Sequence, residues 1–325
     1  MKKAKPALVL LMKVLVSVGL LVFFFTRIHI ERFFHTFASA DFSYIALALV
    51  VYFFSQFLST LRWEVLARPL GFKKPFMVFL NFYLIGMFFN LFAPGTVGGD
   101  VSRIYYLARD EEGGREKNWG GATLNAAVSV FVDRVIGMMV LVWLGALGLI
   151  LFPEYAVPSV VRMVTFALAL GFVVGGLLIP VLRRILPDVG YSTVVKLRVA
   201  LRSYRAHRQA IPQAIALSFA IHLIQAWIHL LIGRAIHIEI PFSYCIIVYP
   251  LVGTFAAIPI SLNGLGLREG GYLFLLAVIG INSEKAIAFG ILLFLAVAAD
   301  SLVGGLVFLL KKSPKPSVVV ADTKI

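Results

Sequence analysis

Charge is what this sequence has least of. Asp, Glu, Lys and Arg make up 14% of the 325 residues, where a soluble domain carries about 25%. So few charges do not build a water-facing surface, and no segment reads as a soluble domain. Cysteine is nearly missing as well. Cys245 stands alone in the chain, which excludes an internal disulfide and a cysteine metal cluster. There is no Walker A sequence, so direct coupling to ATP is not expected. A paired-aspartate metal motif and an activated Ser or Cys arrangement are missing too, which argues against a membrane-embedded transferase. His222 and His229 lie seven residues apart on one helical face without a third ligand. They read as packed or interfacial side chains. No metal and no cofactor is expected.

What is present is apolar. Hydrophobic residues make up 60% of the chain and the mean hydropathy is +0.94. They come in runs near 20 residues, the length that crosses the hydrocarbon core of a bilayer. Full spans are expected at 7–26, 43–61, 120–152, 160–182, 211–232 and 284–310. Lys2, Lys3, Lys5 and Lys13 ahead of the first run, with Ala38-Ser39-Ala40 beyond it, imitate a secretion signal. Arg27, Glu31 and Arg32 fill the gap between run and cleavage-like site, so the run is read as an uncleaved span.

Two further apolar stretches, 76–108 and 242–281, behave differently. Each has a long apolar arm, a Pro and Gly cluster, and a short arm that carries charge. After Gly99 only nine residues precede Arg109, too few to cross again. Both are read as re-entrant hairpins, which are tolerated at membrane depth only against protein or a wet cavity. The expected fold is therefore all-α: a polytopic transmembrane helical bundle of about six full spans plus two re-entrant helical hairpins. Residues 1–312 form a single integral membrane domain and 313–325 a short cytoplasmic tail.

The net charge of +14 belongs to this layout rather than to nucleic acid, for which no motif is present. With the N-terminus in the cytoplasm, twenty-three of the thirty Lys and Arg residues fall inside and five outside. That asymmetry is a positive-inside signal and puts both termini in the cytoplasm. Lys196–Arg208 reads as a basic stretch on the inner leaflet. Arg62, Trp63 and Glu64 read as an anchor at the inner interface.

The layout also contains a repeat. The order span, span, hairpin, span occurs twice, over 1–155 and 156–312, and the second copy starts from the opposite side. Pro94 precedes Arg103 by nine residues, and Pro259 precedes Arg268 by nine. Inverted repeats with broken helices at the midplane are a transporter architecture.

The first hairpin runs from Asn90 to Arg109. Gly98 and Gly99 permit close backbone approach, and a helix is expected to start near Asp100 or Val101. Its N–H groups and dipole suit an anion. Arg103, one turn in, presents a bidentate fork to a phosphate, and Asp100 caps the helix or pairs with Arg103. The competing reading is a capped turn with a structural ion pair. The second hairpin repeats the recipe with Pro259, Asn263, Gly264, Gly266, Arg268 and Glu269. Substrate-binding candidates are therefore Pro94, Gly98, Gly99, Asp100, Arg103, Asn263, Gly264, Gly266, Arg268 and Glu269. Asp133, Arg134 and Asp300 lie inside spans, where ionisable side chains are costly and mark a pathway or a paired site. They are candidates for a buried charge or proton relay. A network of structural ion pairs is the alternative.

The Arg62-Trp63 pair, Pro94…Gly98-Gly99-Asp100…Arg103, Asp133-Arg134 and Pro259…Gly264…Gly266…Arg268-Glu269 occur in this order. Together they resemble the lysylphosphatidylglycerol synthase transmembrane region family, also called flippase-like membrane proteins, over about residues 10–310. The resemblance implies a multi-pass protein of the prokaryotic inner membrane that moves a lipid between leaflets. In multidomain members this region is associated with an aminoacylated lipid; other members accompany polyprenyl-phosphate sugar or hopanoid pathways. This sequence shows no soluble aminoacyl-transferase domain, so lipid aminoacylation by it alone is not expected.

The leading expectation is translocation of a phospholipid or polyprenyl-phosphate-linked lipid. It runs downhill or is coupled to ions, with Asp133, Asp300 or Glu269 carrying protons. The alternatives are a lipid-phosphate transferase and a non-catalytic partner subunit of a lipid or glycan pathway. Expected partners are an anionic lipid or lipid-linked phosphate, membrane lipids, and a lipid-modifying or glycosyltransferase enzyme.

Overall fold

The computed structural model describes residues 29–92, 97–111, 119–185, 202–258 and 264–310, with Ser261 and ten positions between 12 and 26. Pro94, Pro259 and Asn263 lie outside the described residues, as do half of the expected first span and residues 196–201 of the basic stretch Lys196–Arg208. The described residues form helices and no strands. They are α1 (Ile30–Ala38), α2 (Phe42–Ala67), α3 (Phe76–Phe92), α4 (Val97–Glu111) and α5 (Trp119–Leu151). Then follow α6 (Ser159–Ile185), α7 (Ala210–Ala235), α8 (Phe242–Ala256), α9 (Leu267–Ala277) and α10 (Ser283–Leu310). The protein is an all-α polytopic membrane bundle.

Among the described residues, five helices are long and apolar enough to cross a membrane: Phe42–Leu70, Gly121–Leu151, Ser159–Leu178, Ala210–Ala235 and Ser283–Leu310. They coincide with five of the six expected spans. The arms of the two expected hairpins are shorter. Helix α3 has 17 residues, α8 has 15 and α9 has 11, so α9 is roughly 16 Å long at 1.5 Å per residue. In each hairpin the two arms pack on each other, α3 on α4 and α8 on α9.

Helices α2 and α7 pack side by side at the centre. The long arm of each hairpin then crosses to the other half: α3 packs on α10, and α8 packs on α5. Glycines make both crossings close. On α10, Gly304 lies against the Leu84 carbonyl and Gly305 against the Phe88 ring. On α5, Gly145 meets Pro250 and Gly148 meets Ile247. Inside a bilayer, apolar surface is no reason for helices to associate, so small residues that admit close backbone contact hold such crossings. The peripheral α6 packs on α5 and shows the rest of its apolar surface outward.

Candidate functional site

Beside the break in each hairpin lies a glycine at which a Cβ would not fit. In the first, a Cβ on Gly99 would collide with the Gly86 carbonyl and the Asn90 side chain. Asn90 Oδ1 instead accepts the Gly99 N–H at 2.8 Å. That bond satisfies one of the free donors at the start of α4. Helix α4 begins at Val97, earlier than Asp100 or Val101, because Asn90 caps it from the opposite arm. Gly98 and Gly99 therefore sit inside its first turn. In the second hairpin, Gly264 and Gly266 have φ of +77° and +84°, a region that favours glycine. The Glu269 carboxylate, buried within the protein, accepts the Gly266 N–H at 2.6 Å. Gly266 and Gly270 also leave room for Leu20 and Phe24 of the N-terminal segment.

The charged residues of the first half form one network. Asp133, on α5, takes Arg62 Nε on Oδ1 at 2.7 Å and Arg103 Nη2 on Oδ2 at 3.0 Å. All three side chains are buried. Arg62 also donates to Ser218 on α7 at 3.0 Å. Arg103 is stacked between Trp63, 4.2 Å from its guanidinium carbon, and Tyr83, at 4.7 Å. Asp100 approaches Arg103 at 3.7 Å but binds Arg134 more closely, with both oxygens accepting Nε at 3.0 Å. Adjacent Asp133 and Arg134 thus turn to different partners, as neighbours about 100° apart on a helix must.

Two readings of single residues change here. Arg62 and Trp63 do not anchor an interface. Helix α2 continues to Ala67, which carries both side chains into the core, where the Trp63 Nε1 donates to Ser129. Asp100 is neither the helix cap nor chiefly the partner of Arg103; its main partner is Arg134 on α5. Tyr204, buried and donating to the Leu66 carbonyl at 2.8 Å, had no signal in a stretch that reads only as basic.

These residues line a cavity of about 430 Å³ between the two halves. Arg62, Arg103, Asp133 and Arg134 face it from the first half, and Arg268 from α9 in the second. The two expected arginines, one per hairpin, thus open on the same space. Asp300 does not line it. Its carboxylate is buried in α10, and Oδ2 has no hydrogen-bond partner among the described residues. Arg134 pairs with Asp100 instead.

The cavity is also lined by His222, His229, Tyr249 and Tyr272. His222 Nε2 donates to the Gly137 carbonyl at 2.9 Å, and its Nδ1 lies 2.8 Å from the Tyr249 hydroxyl. His229 Nδ1 donates to the Gln225 carbonyl at 2.7 Å, with Nε2 2.7 Å from the Tyr272 hydroxyl. Both imidazoles are thus bonded through both nitrogens. No group of three potential metal ligands occurs among the described residues.

No curated protein and no solved structure matches the chain. The family described as "Lysylphosphatidylglycerol synthase TM region" matches it over residues 10–304. That match covers most of the chain and contains every residue of the charge network, so the protein belongs to the lysylphosphatidylglycerol synthase transmembrane region family.

Proposed function

We propose that this protein translocates a lipid with an anionic, phosphate-containing headgroup between the leaflets of a prokaryotic inner membrane. The family ties the protein to lipid metabolism or translocation. The observation that carries the finer reading is the cavity between the halves, lined by one arginine from each hairpin. A headgroup phosphate sits in the cavity while the acyl or prenyl tails remain in lipid. The swapped packing of α3 on α10 and α8 on α5 supports two inverted repeats, 1–155 and 156–312, that rock about the shared site.

Arg268 tests headgroup binding without touching the Arg62–Asp133–Arg103 network. In proteoliposomes with a fluorescent-tailed phosphatidylglycerol, Arg268→Ala is expected to slow translocation at least tenfold while the protein still inserts. Arg268→Lys should recover only part of the rate, since the planar fork is lost. Unchanged rates in both variants remove headgroup binding from the reading. Asp300 is the acid assigned to proton coupling, because Asp133 is held by two guanidinium groups and Glu269 by Gly266. Asp300→Asn should abolish any response to a pH gradient in the same assay.

Orientation has its own test. In a Cys245→Ala background, a cysteine at position 113 should be labelled only from the cytoplasm, and one at Asn282 only from outside. Labelling of both from the same side refutes inverted repeats. A partner enzyme that makes or consumes the lipid, a lipid-modifying enzyme or a glycosyltransferase, completes the proposal.

A further inference from the structure

The charged residues of the first half form a ladder of alternating sign. It runs Arg134, Asp100, Arg103, Asp133, Arg62, in steps of 2.8, 3.7, 3.0 and 2.7 Å. Side-chain exposure falls along it, from 43% at Arg134 and 20% at Asp100 to 4% at Arg103 and 1% at Asp133.

The inner arginines are clamped. A Cβ on Gly86 would come within 3.0 Å of Arg103 Cγ, so the stem of Arg103 lies on the backbone of α3. Its guanidinium is stacked between Trp63 and Tyr83, and Asp133 holds Nη2. Arg62 is fixed by Asp133 and Ser218, with Gly137 against its Nη1. Arg134 is held differently. It lines the cavity, and all its hydrogen bonds among the described residues go to Asp100. Of the three arginines on the ladder, it is the one that can change partner without breaking buried packing.

The Asp100–Arg134 contact is a planar fork on a carboxylate. Nε lies 3.0 Å from both oxygens and Nη2 2.8 Å from Oδ1. A phosphate uses the same donors in the same plane, so an anion that binds this fork must first displace Asp100. A carboxylate stranded inside a span is costly. Asp100 has a second partner within reach, because Arg103 Nη1 lies 3.7 Å from its Oδ1. That is just outside hydrogen-bond distance, and a shift of roughly 1 Å closes it. Arg103 has donors to spare, since its Nε is buried without a hydrogen-bond partner among the described residues.

We infer that Asp100 is a built-in competitor for the cavity's ligand: an incoming phosphate group takes the Arg134 fork, and the displaced carboxylate moves onto Arg103. The exchange leaves every charge on the ladder paired, and its reversal returns Arg134 to Asp100 when the anion departs. The inference rests on the anionic-ligand reading above and assigns Arg134 as the group that receives the anion in the first half, with Asp100 as a positioning residue.

Isothermal titration of purified protein with dihexanoyl phosphatidylglycerol, and separately with inorganic phosphate, tests it. Asp100→Asn removes the competitor and should tighten binding about tenfold, the equivalent of one charge-assisted hydrogen bond. Asp100→Glu keeps a competing carboxylate and should bind close to the parent. Removing a negative charge also strengthens anion binding through the general field, so the deciding arm is a double-mutant cycle. In an Arg134→Gln background, Asp100→Asn should bring no gain, because there is no fork left to release. A dissociation constant reports the folded fraction alone, so partial loss of protein does not blur the comparison.

Unchanged or weaker binding of both ligands in Asp100→Asn overturns the inference. So does a gain of the same size in the Arg134→Gln background, which would make the effect one of field rather than exchange. A gain for inorganic phosphate with none for the lipid would keep the exchange and remove the lipid reading. A protein with the expected cycle for the lipid that moves none in proteoliposomes would remove translocation and leave the exchange standing.

Discussion

Asp133→Ala is expected to lower stability by about 4 kcal/mol, the largest effect of any single charge removal in the protein. Asp133 gives one carboxylate oxygen to Arg62 and the other to Arg103, and all three side chains are buried. Removing the acid leaves two guanidinium groups facing each other in a low-dielectric interior with no counter-charge nearby except Asp100. Asp133→Asn keeps the shape but turns one acceptor into a donor, so it strands one arginine and should cost nearly as much. Asp300 provides the contrast. It is just as deep in its span, but its Oδ2 has no partner to lose, and Asp300→Asn should leave the melting temperature unchanged or slightly raised. Thermal melting in detergent of the three variants beside the parent checks this. A similar small shift for Asp133→Asn and Asp300→Asn would mean that the network does not hold the fold.

Gly304→Ala is expected to cost about 3 kcal/mol, and Gly305→Ala about 1 kcal/mol. The two glycines are neighbours on α10, and each faces α3. A Cβ at Gly304 would run into the Leu84 carbonyl, which is backbone and cannot turn aside. A Cβ at Gly305 would meet the edge of the Phe88 ring, 2.6 Å from Cε2, and a ring can rotate. The first substitution therefore has to push α10 off α3 along the crossing that joins the two halves. The second needs one side chain to move. Melting temperatures of both alanine variants decide it, and equal shifts would show that the helix backbones are not in contact at Gly304.

The spans were legible in the sequence because a bilayer imposes a length on apolar runs. Five of the six expected runs match long apolar helices, while half of the sixth lies outside the described residues. The shortness of the arms was legible for a related reason: charge and glycine break the apolar runs at 76–108 and 242–281 before they reach the length of a second span. Arg103 and Arg268 each follow a proline by nine residues, and both line the cavity. The start of α4 was misplaced by three or four residues. Its cap, Asn90, comes from the opposite arm of the hairpin, and no local signal marks a cap that arrives from another helix.

The sequence by itself determined that the chain is an all-α membrane protein with two broken hairpins and buried charge, since burial in lipid restricts composition and run length. Partners were beyond it. Which acid meets which arginine depends on the rotation of each helix about its axis, and that is set by packing. Arg62 illustrates it: at the end of an apolar run it looks like an anchor, yet the extra turn and a half of α2 carries it onto Asp133, 71 residues away. Asp133 and Asp300 follow Pro94 and Pro259 by 39 and 41 residues, and only the tertiary structure separates a doubly paired carboxylate from one whose Oδ2 has no hydrogen-bond partner among the described residues. The two histidines gave no sign of the tyrosines they orient, because Tyr249 and Tyr272 reach them only when α8 and α9 fold back against α7.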